Sequence, residues 1–249
     1  MGREQVIAVT GASRGIGASI ALELARRGHR VGCLTRKGRG IEREAAVDDH
    51  AALAARMIAV ACDVEDEASV KSAFAQLAAE AGRIDALVNN AGLHLDGKSA
   101  ALPTATFDRI MNVNARSVFV CAREVYPHLE KAGGTIINIG SFFDKMGVKR
   151  NLAYCASKAA VGAITRCLAV EWAAKKIRVL DVAPGYIATE LNAAQRQGPL
   201  AAFLKARVPV GGPGSADEVA RLVATLIAED LPFLTGETIY IDGAQGMAH

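Results

Sequence analysis

The sequence lacks the patterns that mark metal-binding, disulfide-rich and membrane-spanning proteins. Its five cysteines are scattered without a Cys-x-x-Cys pair or a His–Cys cluster, and its five histidines form no His-Glu-x-x-His. We therefore expect no metal site and no disulfide framework, and we interpret the cysteines as small core residues in a reducing compartment. No apolar run approaches the roughly 18 uncharged residues that a transmembrane helix needs.

An excess of charge of one sign is also absent. The formal net charge of the 249 residues is +3 at pH 7, which is too small to indicate a nucleic-acid or membrane partner. The first predicted strand begins by Val6, which leaves no room for a signal peptide. We therefore expect a soluble, cytoplasmic protein.

What the sequence does contain is a regular alternation of short apolar strands and amphipathic helices. This alternation, without repeats or a linker, predicts one α/β domain over residues 1–249 with a doubly wound parallel sheet. The predicted strands are Gln5–Thr10, His29–Thr35, Met57–Ala61, Asp85–Asn89, Gly134–Ile139, Ile177–Val182 and Gly236–Ile241. The predicted helices are Ala18–Arg27, Asp48–Ala55, Glu67–Ala81, Thr106–Leu129, a helix around Tyr154, and Ala216–Ala228.

The helix around Tyr154 carries a candidate acid–base pair. Tyr154 and Lys158 are four residues apart, so they lie on one face of the helix, one turn apart. An ammonium group one turn away favours the phenolate, so we expect Lys158 to lower the pKa of Tyr154 from about 10. Ser141, thirteen residues before Tyr154, would then polarise a carbonyl held against the phenol. Taken alone, Tyr-x-x-x-Lys is also compatible with an ordinary helix start.

A glycine-rich turn, Gly11-Ala-Ser-Arg-Gly-Ile-Gly17, connects the first strand to the first helix. Glycines there let the backbone approach a pyrophosphate, and the helix N-terminus supplies free N–H groups. The turn therefore indicates dinucleotide binding, although a purely structural turn is the alternative.

The end of the second strand indicates which dinucleotide. An NAD-binding unit places an acidic residue about 20 residues beyond the glycines, to hold the ribose 2′-hydroxyl. Here Thr35 ends the strand, Arg36 follows, and the next carboxylate is Glu42; Arg14 lies in the glycine turn. These arginines favour a 2′-phosphate and hence NADP(H) over NAD(H), unless they belong to a solvated basic loop.

Other polar residues follow the predicted strands or interrupt a helix. Asp63 either faces an adenine or caps the next helix, and Asn114 marks either a kink or buried water site in its helix or a surface position. The polar stretch Thr189–Gly214 lacks clear periodicity, so we interpret residues 187–214 as a lid over the substrate.

Together these motifs resemble the short-chain dehydrogenase/reductase family along essentially the whole chain. The matching motifs are Thr10-Gly-x-x-x-Gly-x-Gly17, Asn89-Asn-Ala-Gly92, Asn114, Ser141, Tyr154-x-x-x-Lys158 and Pro184-Gly185. The resemblance implies a Rossmann-type sheet of seven strands, a nicotinamide cofactor and a Ser-Tyr-Lys active site without metal.

The resemblance also assigns roles to residues. Tyr154 would be the general acid or base, Lys158 would hold the nicotinamide ribose, Ser141 would bind the substrate oxygen, and Asn114 would hold a water that links Lys158 to solvent. The implied cofactor-binding residues are Gly11, Ser13, Arg14, Ile16, Gly17, Thr35, Arg36, Asp63, Val64, Asn90, Ala91, Gly92, Tyr154, Lys158, Pro184, Gly185, Ile187 and Thr189. The expected substrate pocket comprises Ser141, Phe142, Phe143, Tyr154 and Tyr186.

One departure from the family pattern is the bulky Phe142-Phe143-Asp144 after the serine, where relatives often carry small residues. The rings suggest a narrowed, aromatic-lined pocket, or core packing.

Three functions are compatible with these features. The leading hypothesis is an NADP(H)-dependent carbonyl reductase or alcohol dehydrogenase acting on a small molecule. The alternatives are a 3-oxoacyl-acyl-carrier-protein reductase, which needs a basic patch at the pocket mouth, and a non-catalytic cofactor-binding sensor. The patch would draw on Arg116, Arg123, Lys149, Arg150, Arg196, Lys205 and Arg207. By resemblance we also expect a homotetramer or homodimer, built on the apolar helices around Asn114 and after Tyr154.

Overall fold

The elements alternate along the chain as strand and helix. The computed structural model describes residues 3–42, 50–189 and 199–247. The strands are β1 (Val6–Thr10), β2 (Arg30–Thr35), β3 (Met57–Ala61), β4 (Ala86–Asn89), β5 (Gly134–Ile139), β6 (Ile177–Pro184), β7 (Ile187–Ala188), β8 (Gly214–Ser215) and β9 (Thr238–Ile241). The helices are α1 (Gly15–Arg26), α2 (His50–Ala54), α3 (Glu67–Ala81), α4 (Thr104–Met111), α5 (Ser117–Leu129), α6 (Leu152–Trp172), α7 (Pro199–Arg207) and α8 (Ala216–Ala228).

Seven strands form one parallel sheet in the order β3-β2-β1-β4-β5-β6-β9. One apolar core packs the sheet against α3, α5 and α6, and a second packs its other face against α1 and α8. The predicted doubly wound α/β sheet is therefore confirmed. Strand order reverses between β1 and β4, and such a switch point opens a crevice at the carboxyl ends of the strands.

Two predicted segments differ from the structure. The long helix predicted over Thr106–Leu129 is instead α4, a π-helical turn over Asn112–Arg116, and α5. The predicted irregularity at Asn114 is thus a π-helical turn. The stretch Thr189–Gly214 contains helix α7, which its weak periodicity concealed; residues 190–198 lie outside the described residues.

The ends of this segment are joined, since Ile187 pairs with Gly214 and Ala188 with Ser215 in a two-stranded parallel sheet. Of the predicted helix Asp48–Ala55, residues 48 and 49 lie outside the description. None of the described helices combines the length and the apolar character that crossing a membrane requires.

Candidate active site

A cleft of about 840 Å³ lies along the carboxyl edge of the sheet, at the switch point between β1 and β4. This volume falls within the range of about 300–1,000 Å³ that is typical of ligand pockets. Every predicted cofactor and substrate-pocket residue lines the cleft. Of the predicted catalytic residues, Ser141, Tyr154 and Lys158 line it, whereas Asn114 is absent from the described lining.

The glycine turn after β1 is shaped by close approach of the backbone. A Cβ atom on Gly17 would lie 2.3 Å from the Gly11 carbonyl oxygen, and one on Gly11 would lie 2.9 Å from the Ala91 Cα. These two glycines therefore serve packing. Gly15 is different, because it has a φ of +57° and its Cβ would meet only Thr189, at 3.8 Å or more, among described residues. It begins α1 at the cleft, where free helix N–H groups suit a phosphate.

The strand ends on either side of the switch point are tied together. The Thr10 hydroxyl accepts hydrogen bonds from the Asn90 and Ala91 N–H groups, both at 3.0 Å. The Asn90 amide donates to the carbonyls of Thr10 and Gly11, at 3.0 and 3.2 Å. This network fixes the floor of the cleft.

The end of the cleft beside β2 carries the predicted determinants of the dinucleotide. Thr35 is the buried last residue of β2, and Arg36 and Arg14 are exposed cleft residues. Asp63 also lines the cleft, and its carboxylate accepts the Glu65 N–H at 3.1 Å. Asp66, not Asp63, caps α3, by accepting the Ala68 N–H, so the capping alternative for Asp63 is wrong.

Ser141, Tyr154 and Lys158 come from two neighbouring elements. Ser141 follows β5, and its hydroxyl accepts the Phe143 N–H at 3.3 Å, which starts a short 3-10 turn. Tyr154 and Lys158 lie one turn apart in α6, as predicted, with the Lys158 Nζ 5.7 Å from the centre of the Tyr154 ring. The buried ammonium donates to the Ile139 carbonyl at 2.7 Å.

The electrostatics of this pair differ from the prediction. Burial raises the pKa of Tyr154 to about 12, and a hydrogen bond with Ser141 opposes this rise only in part. Burial also lowers the pKa of Lys158, while the negative charge of Asp181 acts in the opposite direction. The expected lowering of the Tyr154 pKa is therefore wrong for this structure, because desolvation by burial is the largest cause of the shift.

Asn114 lies behind the cleft wall. Its amide donates to the Leu93 carbonyl at 2.9 Å and to the Ser157 hydroxyl at 3.0 Å, and its oxygen accepts the Leu93 N–H at 2.7 Å. Ser157 in turn donates to the Tyr154 carbonyl at 2.8 Å. Because both amide hydrogens bind within the chain, Asn114 joins the loop after β4 to the first turns of α6.

Aromatic rings line the cleft beside Tyr154. Phe142 and Phe143 are both largely buried, with ring centres 4.7 Å apart, and each also lines the cleft. Tyr186 meets them edge-on at 5.4 and 6.1 Å, and Phe143 lies 5.9 Å from Tyr154. The two phenylalanines are thus both core residues and pocket wall.

The amino-acid sequence matches a family model described as enoyl-(acyl carrier protein) reductase over residues 11–246. It is 37% identical over 245 residues to the 2-(R)-hydroxypropyl-CoM dehydrogenase of Xanthobacter autotrophicus, covering 96% of this chain and 98% of that protein. It is 36% identical to the 3-oxoacyl-[acyl-carrier-protein] reductase of Escherichia coli, covering 98% of each. A Serratia marcescens short-chain dehydrogenase/reductase structure is similar with a TM-score of 0.86 and 32% identity, covering 97% of this chain and 98% of that one.

The chain belongs to the short-chain dehydrogenase/reductase family.

This membership makes the chain an oxidoreductase of CH–OH or C=O groups, in a family that uses nicotinamide cofactors. The fold predicted by resemblance is confirmed.

Sequence reasoning missed two titratable residues of this short-chain dehydrogenase/reductase site. His94 packs edge-on against Tyr154, with ring centres 4.7 Å apart, and its Nε2 lies 2.6 Å from the Asn151 amide oxygen. Asp181 is buried inside β6, close enough to Lys158 to affect its pKa. Two features of the sequence could have indicated them. His94 lies two residues after Asn89-Asn-Ala-Gly92, and Asp181 is the one acidic residue in the mostly apolar strand β6.

Proposed function

We propose that the protein is an NADP(H)-dependent carbonyl reductase or alcohol dehydrogenase that uses Ser141, Tyr154 and Lys158. The observation that supports this most strongly is their convergence, within one cleft, with the glycine turn at the N-terminus of α1. The family establishes the reaction class; the cofactor preference and the catalytic roles are our inference.

Each of the three side chains has a distinct role in this proposal. The nicotinamide nucleotide, when bound, supplies or accepts the hydride. Tyr154 donates the proton to the carbonyl oxygen in reduction and removes it in oxidation, and Ser141 donates a hydrogen bond to the same oxygen. Lys158 holds the nicotinamide ribose and favours the phenolate. Since burial opposes phenolate formation, a charged Lys158 is important at the moment of proton transfer.

The residues of the cleft fit a dinucleotide. Gly15 leaves space beside Thr189, and α1 presents N–H groups for phosphate. Arg36 lines the cleft directly after β2, and Arg14 lines it from the glycine turn. A 2′-phosphate would find two guanidinium groups there and no carboxylate at the position of Thr35. These two arginines support NADP(H) over NAD(H).

The substrate side favours a small carbonyl compound with an apolar or aromatic substituent. The wall of Phe142, Phe143 and Tyr186 would pack against such a group. Residues 187–214, whose ends pair through β7 and β8, remain our proposed lid over this pocket.

A 3-oxoacyl-acyl-carrier-protein reductase is the second candidate, because a reductase of that name is a close relative. Its proposed basic patch is partly neutralised, since Arg116 and Arg123 pair with Glu67, and Arg150 pairs with Asp96. Of the other residues of the proposed patch, Lys149, Lys205 and Arg207 lie in the part of the chain that the structure describes, and Arg196 lies outside it. The ion pairs favour the small-molecule function.

We further propose a cytoplasmic homotetramer or homodimer. The five cysteines are all free, which suits a reducing compartment. Phe119 of α5 and Val170 of α6 are exposed, on the two helices predicted to form the interfaces.

The test is hydride transfer on a panel of aryl ketones, aliphatic ketones, their alcohols and a 3-oxoacyl thioester, each with NADPH or NADH. Tyr154→Phe should reduce the rate by at least about 10²-fold, as expected when a general acid is lost. Tyr126→Phe is the matched control, because Tyr126 packs against Trp172 away from the cleft and loses only its hydroxyl. We expect this control to retain activity.

Three outcomes would contradict parts of the proposal. Equal rates in Tyr154→Phe and wild type would exclude the proposed mechanism. Turnover of the thioester alone would favour the carrier-dependent function. Cofactor binding without turnover of any panel member would favour the sensor alternative.

A further inference from the structure

A carboxylate occupies the interior of the sheet beneath the active site. Asp181 lies in β6, in register with Asn138 of β5 and Thr238 of β9, and its exposed fraction is 0%. One carboxylate oxygen accepts a hydrogen bond from the Thr238 hydroxyl at 3.2 Å. The other is buried and has no hydrogen-bond partner within the described chain. An ionised carboxylate is costly in such a place unless a positive charge compensates it.

The compensating charge comes from α6. Lys158 donates to the Ile139 carbonyl at 2.7 Å, while a Cβ on the next residue, Gly140, would lie 2.4 Å from an Asp181 carboxylate oxygen. The ammonium and the carboxylate thus lie next to consecutive residues of the main chain, Ile139 and Gly140. Gly140 is required there because any larger residue would displace the carboxylate. The two charges affect each other. Burial lowers the pKa of Lys158, and the negative charge of Asp181 opposes this fall; burial raises the pKa of Asp181, and the positive charge of Lys158 opposes this rise.

The other ionisable groups around Asp181 do not supply a second buried cation. Asp144, in the 3-10 turn after Ser141, adds a negative charge that raises the pKa of Asp181. Tyr240 of β9 donates its hydroxyl to Asp144 at 2.7 Å, and Lys145 lies over the Tyr240 ring at 3.5 Å. Asp242 follows β9 and accepts hydrogen bonds from the backbone. Lys158 is therefore the natural counter-ion among the described residues.

We propose that Asp181 is the buried counter-charge that keeps the Lys158 ammonium protonated and in place, as a positioning residue for the Tyr154 reaction. Desolvation favours the neutral amine, and the neutral amine would neither favour the phenolate nor hold the ribose as strongly. A structural role alone is a poor explanation, because a carboxylate with a single long hydrogen bond stabilises a strand less than an apolar residue of similar size. The role assigned to Asp181 depends on the proposed function of Lys158.

The experiment measures NADPH affinity from pH 6 to pH 10 by nucleotide fluorescence, in parallel with hydride transfer on the best member of the panel. Removing the negative charge lowers the pKa of Lys158 further, so the ammonium is lost at a lower pH. We expect the alkaline limb of both profiles to shift to lower pH by about 1 pH unit in Asp181→Asn and in Asp181→Val. Asp181→Val suits a buried strand, so it provides the test if Asp181→Asn does not fold.

Two further variants make the assignment specific. Thr238→Val removes the hydrogen bond to Asp181 but keeps the Asp181 carboxylate, which is ionised at alkaline pH. The alkaline midpoint of this variant should therefore match that of wild type. Lys158→Met should abolish the loss of NADPH affinity at alkaline pH, because that loss reports the deprotonation of the Lys158 ammonium.

Unchanged midpoints in both Asp181 variants, or an equal shift in Thr238→Val, would overturn the role of Asp181. These results differ from a failure of the proposed function, in which wild type shows no turnover or Tyr154→Phe retains it. The binding profile tests Asp181 even when no substrate is turned over.

Discussion

The basic residues at the end of β2 allow the cofactor preference to be tested with one substitution. Arg36 lines the cleft and follows Thr35, whereas its neighbour Lys37 is exposed but does not belong to the described lining. Arg36→Asp should weaken NADPH binding by about tenfold or more, because a charge-assisted hydrogen bond to the 2′-phosphate is replaced by repulsion. Binding of NADH should be maintained or improved.

Dissociation constants of both nucleotides, measured by fluorescence, check this prediction. Lys37→Asp is the matched control, because it changes the net charge equally at a position outside the cleft. Equal losses of NADPH affinity in the two variants would mean that the overall electrostatic field of the protein, and not a contact between Arg36 and the 2′-phosphate, determines the affinity. An unchanged preference in Arg36→Asp would show that Arg36 belongs to a solvated loop.

Single residues also show how far sequence reasoning extends. Tyr154 and Lys158 are predictable because they lie within one helix, where spacing alone fixes their relative position. Their pKa values were not predictable, because burial depends on the packing of the whole cleft. Asp181 acquires its partner from α6, through a contact between distant parts of the chain.

The π-helical turn between α4 and α5 allows a prediction for a secondary-structure element. Buried Asn114 lies within it and bridges Leu93 and Ser157. Asn114→Ala would leave the Leu93 backbone groups without these buried partners, which should reduce the free energy of unfolding by about 2 kcal/mol. Hydride transfer should also decrease, because Ser157 contacts the Tyr154 carbonyl.

Urea denaturation and the rate with the best substrate test this effect. Asn112→Ala is the control, because Asn112 lies in the same π-helical turn but is exposed. A loss of stability as large in Asn112→Ala as in Asn114→Ala would indicate a general effect of helix propensity. Full stability in Asn114→Ala would contradict the bridging role.

Elements were predictable where their boundaries carry local signals. The predicted bounds of α3 and α8 match the structure. Asp66 caps the start of α3, and Gly82 ends it in the left-handed region. Ser215 and Glu218 form a capping box at the start of α8. Helix α7 was missed because its apolar residues do not follow one helical face. The π-helical turn has no sequence signature beyond an asparagine within a helix.

At the scale of the whole molecule, the predicted assembly depends on the apolar helices α5 and α6. Several apolar residues of these helices are buried in the chain's own core, namely Val118, Val120, Val161 and Leu168. Phe119 and Val170, by contrast, are 45% and 82% exposed. An exposed phenylalanine and valine on the helices predicted to meet a second copy are compatible with an interface.

The last prediction concerns this assembly. Sedimentation of the wild-type protein should give a mass that is a multiple of the 26.0 kDa chain, namely a dimer or a tetramer. The double variant Phe119→Asp/Val170→Asp should give a smaller species, because two carboxylates would lose solvation in the interface. Phe233→Asp is the control, since Phe233 is fully exposed and lies outside both helices. A wild-type monomer would contradict the assembly, and an unchanged oligomer in the double variant would place its interface elsewhere.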